Sequence, residues 1–342
     1  MTDLAWPQVL STLIAGTALS SDEAGWAMER IMSGEATPAQ IAAFVTALRA
    51  KGETVDEVLG LVTTMRRFAQ RVEVDGSLVD TCGTGGDRAG TINVSTIAAL
   101  VAAGAGAHVA KHGNRAASSK CGSADLLEAL GVRIDLPPPG VAACIGEAGI
   151  GFCFAPVFHP SMRHAAATRR ELGVPTIFNF LGPLTNPAGA AHQALGVSDP
   201  AMAPKMIEVL RRLGSEHVLV FRGADGLDEL TTTGPSNVWE LREGRISESV
   251  LDPADLGIDR AAPEALRGGE PAENATIAVE VLSGASGPAR DVVLVNAAAA
   301  IVAADLTGDL GEAMERAADA IDSGRACAAL DRLVEVSNAF AG

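Results

Sequence analysis

A chain of 342 residues, 48% of them hydrophobic, suffices for one large domain or two moderate ones around a sizeable core. Lys and Arg number 26 against 42 Asp and Glu. The resulting net charge of -16 argues against a surface built for nucleic acid or anionic membrane, so an anionic small substrate must be held by a local basic pocket. The five cysteines (Cys82, Cys121, Cys144, Cys153 and Cys327) are odd in number and lack C-x-x-C spacing, which argues against a disulfide framework or a zinc ribbon and suits a reducing cytoplasm. No export signal is expected, since residues 9–18 are apolar but follow Asp3 rather than a basic residue. Residues 94–110 are too few, and too broken by Gly104 and Gly106, for a membrane span.

Residues 1–72 read as helices with no strand between them. Ser20-x-x-Glu23 and Thr54-x-x-Glu57 fit capping boxes. Thr37-Pro38 places an N-cap before a proline at the first helical position, and Gly34 and Gly52 fit C-terminal stops. Ile41, Phe44, Val45 and Leu48 recur at helical spacing, as do Val58, Leu61, Val62 and Met65, which predicts a small helical bundle. From residue 78 the pattern alternates. Strands are predicted at 78–80, 108–111, 151–155, 193–197, 217–222 and 237–242, with helices at 94–105, 123–130, 140–148, 160–172 and 200–213. That order predicts an α/β sheet with helices packed on it. Residues 252–274 are charged and small, a surface excursion, and 290–304 and 309–337 read as alanine-rich helices.

The densest chemistry lies in 79–96. A short apolar strand leads into Gly83-Thr-Gly-Gly-Asp87, and Asn93-Val-Ser-Thr96 stands where the next helix begins. Glycines bring a ligand close to bare N–H groups, and a helix N-terminus attracts phosphate, so the stretch predicts a phosphate cradle. It is neither a P-loop, since no Lys follows the glycines, nor a dinucleotide fingerprint, since Arg88 stands where the last Gly would fall. Asp87 suits a sugar hydroxyl or a metal-bound water better than a bare phosphate. A plain βα turn is the bland alternative.

Three further clusters follow. Lys111-His-Gly-Asn-Arg115 with Ser118, Ser119, Lys120 and Ser123 gathers positive charge and hydroxyls at a strand's C-terminal end, where open α/β sheets bind ligands, and Ser123 is placed to cap the next helix. His112 alone reads more readily as structural than catalytic. His159-Pro-Ser-Met-Arg-His164 precedes Arg169-Arg170, where a guanidinium either complements the helix dipole or takes a substrate carboxylate. Asp228-Glu229, just after a strand, suits Mg2+, which prefers oxygen ligands shared with substrate phosphates.

In this order the motifs resemble the anthranilate phosphoribosyltransferase family. The resemblance is carried by Gly83 to Asp87, Asn93 to Thr96, Lys111 to Arg115 with Ser118-Ser119, Thr176-Ile-Phe-Asn-Phe-Leu-Gly-Pro-Leu-Thr-Asn-Pro187, and Asp228-Glu229. It implies a small N-terminal all-helical domain (1–72, joined by 168–188) and a larger α/β domain (76–342) with a central, mostly parallel sheet, as in the second class of nucleoside phosphorylases. It implies a homodimer formed through the helical part. It also implies transfer of the phosphoribosyl group of phosphoribosyl pyrophosphate (PRPP) to the amine of anthranilate, in tryptophan biosynthesis, with Mg2+. The implied PRPP residues are Gly83, Gly86, Asp87, Thr91, Asn93, Val94, Ser95 and Thr96, then Lys111, His112, Gly113, Asn114, Arg115, Ala116, Ala117, Ser118, Ser119 and Ser123. Anthranilate would meet Gly83, His112, Asn114, Arg169, Gly182 and Pro183, and Mg2+ would meet Ser95, Asp228 and Glu229. No general base is implied. Two departures stand out: Arg88, where the family often has Gly, and Pro175, where it often has Arg. The rival readings are a pyrimidine nucleoside phosphorylase of the same fold, against which the acid pair counts, and a non-catalytic nucleic-acid-binding paralogue, against which the net charge counts.

Overall fold

A computed structural model describes residues 4–116 and 119–340. Four helices open the chain: α1 (Trp6–Ile14), α2 (Ser21–Met32), α3 (Pro38–Lys51) and α4 (Val55–Arg67). Reciprocal capping boxes at Ser20/Glu23, Thr37/Gln40 and Thr54/Glu57 start α2, α3 and α4. Then come β1 (Val79–Gly83), α5 (Val94–Gly104), β2 (Val109–Gly113), α6 (Ser123–Ala129), α7 (Pro138–Ala148) and β3 (Ile150–Phe154). Three shorter helices follow, α8 (Ala155–Phe158), α9 (Arg163–Leu172) and α10 (Phe178–Leu181). The chain continues through β4 (His192–Gly196), α11 (Ala203–Arg212), β5 (His217–Gly223), β6 (Ser236–Arg242) and β7 (Arg245–Leu251). It closes with α12 (Pro271–Leu282), α13 (Pro288–Ala303), α14 (Leu310–Asp322) and α15 (Arg325–Ala339).

The seven strands form one sheet in the order β3-β2-β1-β4-β5-β6-β7, parallel through β5 and antiparallel beyond it. Side chains alternate faces along a strand, and the chain uses both. Ala194, Leu219 and Phe221 join a core with α5, α13 and α15. Leu195, Val197, Val218 and Val220 join a second core with α1–α4 and α11. Ala165, Ile177, Phe178, Phe180, Leu181 and Leu184 belong to that second core as well.

Four local expectations are corrected. Ser123 does not cap α6: it is the first helical residue, its hydroxyl donates to Asn114 O (3.2 Å), and the Asp125 carboxylate takes the Gly122 N–H instead. The helical run 309–337 is broken at Ser323 and Gly324 into α14 and α15. β7 and α12 have no counterpart among the expected elements. The excursion 252–274 is not purely superficial: Leu266 is buried, the Ile92 N–H donates to Leu266 O (3.0 Å), and the Gly268 N–H donates to Gly90 O (2.9 Å).

Candidate active site

β1, β2 and β4 end at Gly83, Gly113 and Gly196, and the segments that follow meet at the C-terminal edge of the sheet, beside the strand from which the chain order runs both ways. The segment after β1 is bent by residues in the left-handed region: Gly85 (φ 67°), Gly86 (φ 86°) and Gly90 (φ 64°), with Arg88 (φ 61°) among them. It is tied to the end of β4 by the Thr84 N–H donating to Gly196 O (3.0 Å) and the Ser198 hydroxyl donating to Gly85 O (2.7 Å).

The segment after β5 folds over both. The Gly85 N–H donates to Asp228 Oδ2 at 2.6 Å, and the Ser95 N–H, in the first turn of α5, donates to Glu229 Oε1 at 3.2 Å. A Cβ on Gly83 would stand 2.2 Å from Asp228 Oδ2 and one on Gly196 would stand 1.6 Å from Asp228 O, so close approach requires glycine at both strand ends. Behind the acids, Asn296 of α13 clamps the next residue. It accepts from the Leu230 N–H (3.0 Å) and donates to Leu230 O and Val292 O (both 2.8 Å). Asp225 braces the same segment by accepting from the hydroxyls of Thr231 (2.7 Å) and Thr233 (2.5 Å).

Asp228 and Glu229 are buried. Burial, then the nearby Asp87 charge, pushes the Asp228 carboxyl up to about 7. Burial, then Asp228, pushes Glu229 well above the usual carboxylate range. The facing cation is Lys111, also buried, whose Nζ donates to Thr81 O (2.5 Å) and lies 3.4 Å from Ser95 Oγ. Burial lowers its pKa, and the charges of Asp80, Cys82 and Glu229 work against that. Buried acid thus exceeds buried base here. Two carboxylates and the Ser95 hydroxyl supply oxygen donors only, and that set fits Mg2+.

The second segment is less basic than its sequence. Arg115 pairs with Asp125 (2.9 Å) and Glu128 (2.8 Å), and Lys120 points outward, 3.8 Å from Glu270, so among the described residues only Lys111 of this cluster turns inward. Ala117 and Ser118 lie outside the described residues. Asn114 is exposed, its Oδ1 accepting from the Arg115 N–H (2.8 Å). Asn93 caps nothing with its side chain. It donates to Cys121 O (3.0 Å) and accepts from Asn274 Nδ2 (2.8 Å), joining three segments around the cradle.

The segment 182–184 is held from three sides. Gly182 O faces His112 Nδ1 (3.0 Å), Pro183 O accepts from Gln193 Nε2 (2.7 Å), and Leu184 O accepts from Arg66 Nε (2.8 Å). The rings of His112 and His159 lie 5.1 Å apart, and the Nε2 atom of each is buried without a partner among the described residues. Burial pulls His112 down to about 3 and His159 to about 4, so both are neutral at pH 7. Arg169 stacks on Phe178 (5.3 Å to the ring centroid), and burial lowers its pKa with no acid opposing among the described residues.

Gln193, Asn274 and Asn296 escape sequence reasoning, whereas His159 was read as the head of the 159–164 cluster without its contact to His112. Asn296 carried one signal, a lone polar residue inside the apolar run 292–303.

Two families match the chain: the helical bundle domain of a glycosyl transferase family over residues 7–69, and the a/b domain of the same family over 75–327. Among relatives, the anthranilate phosphoribosyltransferase of Arthrobacter sp. (strain FB24) is 57% identical over 338 residues, covering 97% of this chain and 96% of that protein. That of Acidothermus cellulolyticus is 58% identical over 344 residues, covering 99% and 97%. Among solved structures, the Thermus thermophilus anthranilate phosphoribosyltransferase (TrpD) superposes with a TM-score of 0.92 at 46% identity, covering 97% of this chain and 99% of that one. The Saccharomyces cerevisiae enzyme in complex with PRPP and Mg gives 0.90 at 28% identity, covering 98% of both chains.

Proposed function

The chain belongs to the anthranilate phosphoribosyltransferase family, and from that premise we propose which residues carry each part of its reaction. The activity is transfer of the 5-phosphoribosyl group of PRPP to the amine of anthranilate with release of pyrophosphate, a step of tryptophan biosynthesis that uses Mg2+. PRPP lies against the cradle from Gly83 to Thr96, with Lys111 beneath it and the 112–123 segment beside it. Asp228, Glu229 and Ser95 hold Mg2+. When bound, the ion neutralises the negative charge that develops on pyrophosphate as its bond to C1 breaks. The chain's own part is to bring the acids over Gly83 and Gly196, to aim the N–H groups of the cradle, and to align the amine behind C1.

Anthranilate is held by Arg169, Asn114 and the 182–183 segment. The observation that carries this assignment is the Arg169 guanidinium, desolvated beside Phe178 and lacking an opposing acid among the described residues, a charge that a substrate carboxylate completes. His112 and His159 back the 182–183 segment with uncharged rings and add no charge beside anthranilate. An aromatic amine is neutral at pH 7, so no general base is assigned. The cleft runs between the helical part (1–72 with 168–188) and the α/β part (76–342). The protein is cytoplasmic and dimerises through the helical part, where Ile14 at the end of α1 is 77% exposed.

Anthranilate fluorescence, followed as PRPP and Mg2+ are varied, tests the assignment. Arg169→Ala is expected to raise the anthranilate KM about 10- to 100-fold, the worth of a hydrogen bond to a charged group, and to leave the PRPP KM near its original value. A selective rise in the PRPP KM would move Arg169 to the phosphate side.

A further inference from the structure

The opposite edge of the sheet carries a second cluster that the reaction does not use. β4 and β5 begin at His192 and His217, which are register partners in the parallel pair, and both side chains are buried. Asp305, just past α13, points its carboxylate at them: Oδ1 is 2.8 Å from His217 Nδ1 and Oδ2 is 3.7 Å from His192 Nδ1. One ring nitrogen from each histidine and one Asp305 oxygen lie within 4.8 Å of one another. Two more acids stand around them, Glu240 at 2.9 Å from His217 Nε2 and Glu216 at 3.6 Å from His192 Nε2. The opposing cation is Arg242, 3.6 Å from Asp305.

We propose that His192, His217 and Asp305 form a site for a divalent transition metal of the zinc type, with Glu216 beside His192 completing the set and Glu240 left as the outer partner of His217 Nε2. Imidazole nitrogens with carboxylate oxygen suit Zn2+, Co2+ or Ni2+ and do not suit Mg2+, so this site and the acid pair select different ions. Ligand atoms on a zinc ion stand about 3.3 Å apart, given bonds of about 2.0 to 2.2 Å. Small side-chain rotations close the present spacing, because the carboxylate is partly exposed. The second partners are in place. Ala303 O lies 2.7 Å from His192 Nδ1, and His217 keeps one acid when the other turns to the metal, the arrangement that orients metal-bound imidazoles. A surface pocket lined by Glu216, His217, Arg242 and Asp305 gives the ion a route in.

Asp305 has φ 55° because it is the left-handed residue that closes α13, with its N–H donating to Val302 O (2.9 Å) and the Leu306 N–H donating to Ile301 O (3.2 Å), and this cap fixes where the carboxylate starts. Bound there, the ion ties the starts of β4 and β5 to β6 and to the end of α13, far from the substrates, and its consequence is stability rather than turnover.

The test is titration of chelator-treated protein with Co2+ in saturating Mg2+, read by visible d–d absorption, with Zn2+-dependent Tm as a second readout. Asp305→Gly is the diagnostic variant, since glycine accepts the left-handed backbone at that position. The wild type is expected to take up one equivalent of Co2+ and to gain Tm with Zn2+. Asp305→Gly and His192→Gln should each bind at least about tenfold more weakly, while Asp228→Asn with Glu229→Gln keeps the signal. No Co2+ uptake by the wild type, equal uptake by Asp305→Gly and His192→Gln, or loss of the signal in the acid-pair variant would each overturn the proposal.

Discussion

Arg88 shows what a single backbone angle adds to a sequence. As a letter it is an odd cation in a phosphate cradle. In the fold it is an exposed residue at φ 61° between glycines that share its conformation. A non-glycine residue there costs about 1 kcal/mol, so Arg88→Gly should raise Tm by about 1 °C in a chain of this length, and a lower Tm would show that the side chain makes compensating contacts. The buried histidines carry a pH dependence. Their folded-state pKa values, about 3 and about 4, lie below the 6.5 of a free imidazole, so between those values the unfolded chain binds protons that the folded chain refuses. Stability therefore falls as pH drops below about 6.5, by about 1.4 kcal/mol for each tenfold difference in proton affinity. Asp228, raised to about 7, acts in the opposite direction, which makes a difference measurement necessary. His159→Gln should lose Tm less steeply than the wild type between pH 6.5 and 4.5 (about 2 units of acidification). Parallel curves would place the histidine's proton elsewhere. None of this was legible beforehand, because desolvation depends on what the fold stacks around a ring, and the His112 and His159 rings meet only across a gap of many residues.

Elements were more legible than their partners. The capping boxes that start α2 and α4 could be read from four-residue spacings, since they are local chemistry. The same Glu57 also accepts from the Leu19 N–H (2.9 Å) and Lys51 Nζ (2.9 Å), contacts that no spacing rule reaches. β7 was missed because most of its side chains are exposed and polar. Its available signal was Glu243-Gly244, whose left-handed angles (φ 50° and 74°) make the two-residue turn of a hairpin. α12 was missed because the surface-like composition of 252–274 masked its proline start. The acid pair was legible as a motif, but the clamp that positions it was not, since Asn296 lies 66 residues away from Leu230. Removing that clamp leaves buried Leu230 groups unsatisfied, at about 1–3 kcal/mol each. Asn296→Ala should therefore demand about tenfold more Mg2+ for half-maximal rate while the anthranilate KM holds. A lower Tm with an unchanged Mg2+ dependence would reduce Asn296 to a packing role.

At the scale of the whole molecule, one sheet serves two cores. Alternate side chains of β4 and β5 face the α5/α13/α15 layer and the α1–α4/α11 layer, so the helical part is anchored on the same strands that end beneath the acid pair. The alternation of strands and helices predicted the sheet, and the motif order placed its ligand edge. Periodicity could not show that α11 packs with the N-terminal helices, because that contact joins residues far apart in sequence. The acids are brought to the sheet edge by close glycine contacts rather than by long flexible chains. The most direct measurement is anthranilate fluorescence with saturating PRPP and Mg2+ in the double variant Asp228→Asn with Glu229→Gln. The amides can still accept from the Gly85 and Ser95 N–H groups and need no desolvated charge, so the variant should fold with an undiminished Tm. It should show no decay of the fluorescence that the wild type consumes. Decay at the wild-type rate would contradict the assignment of these two carboxylates to the metal that activates PRPP.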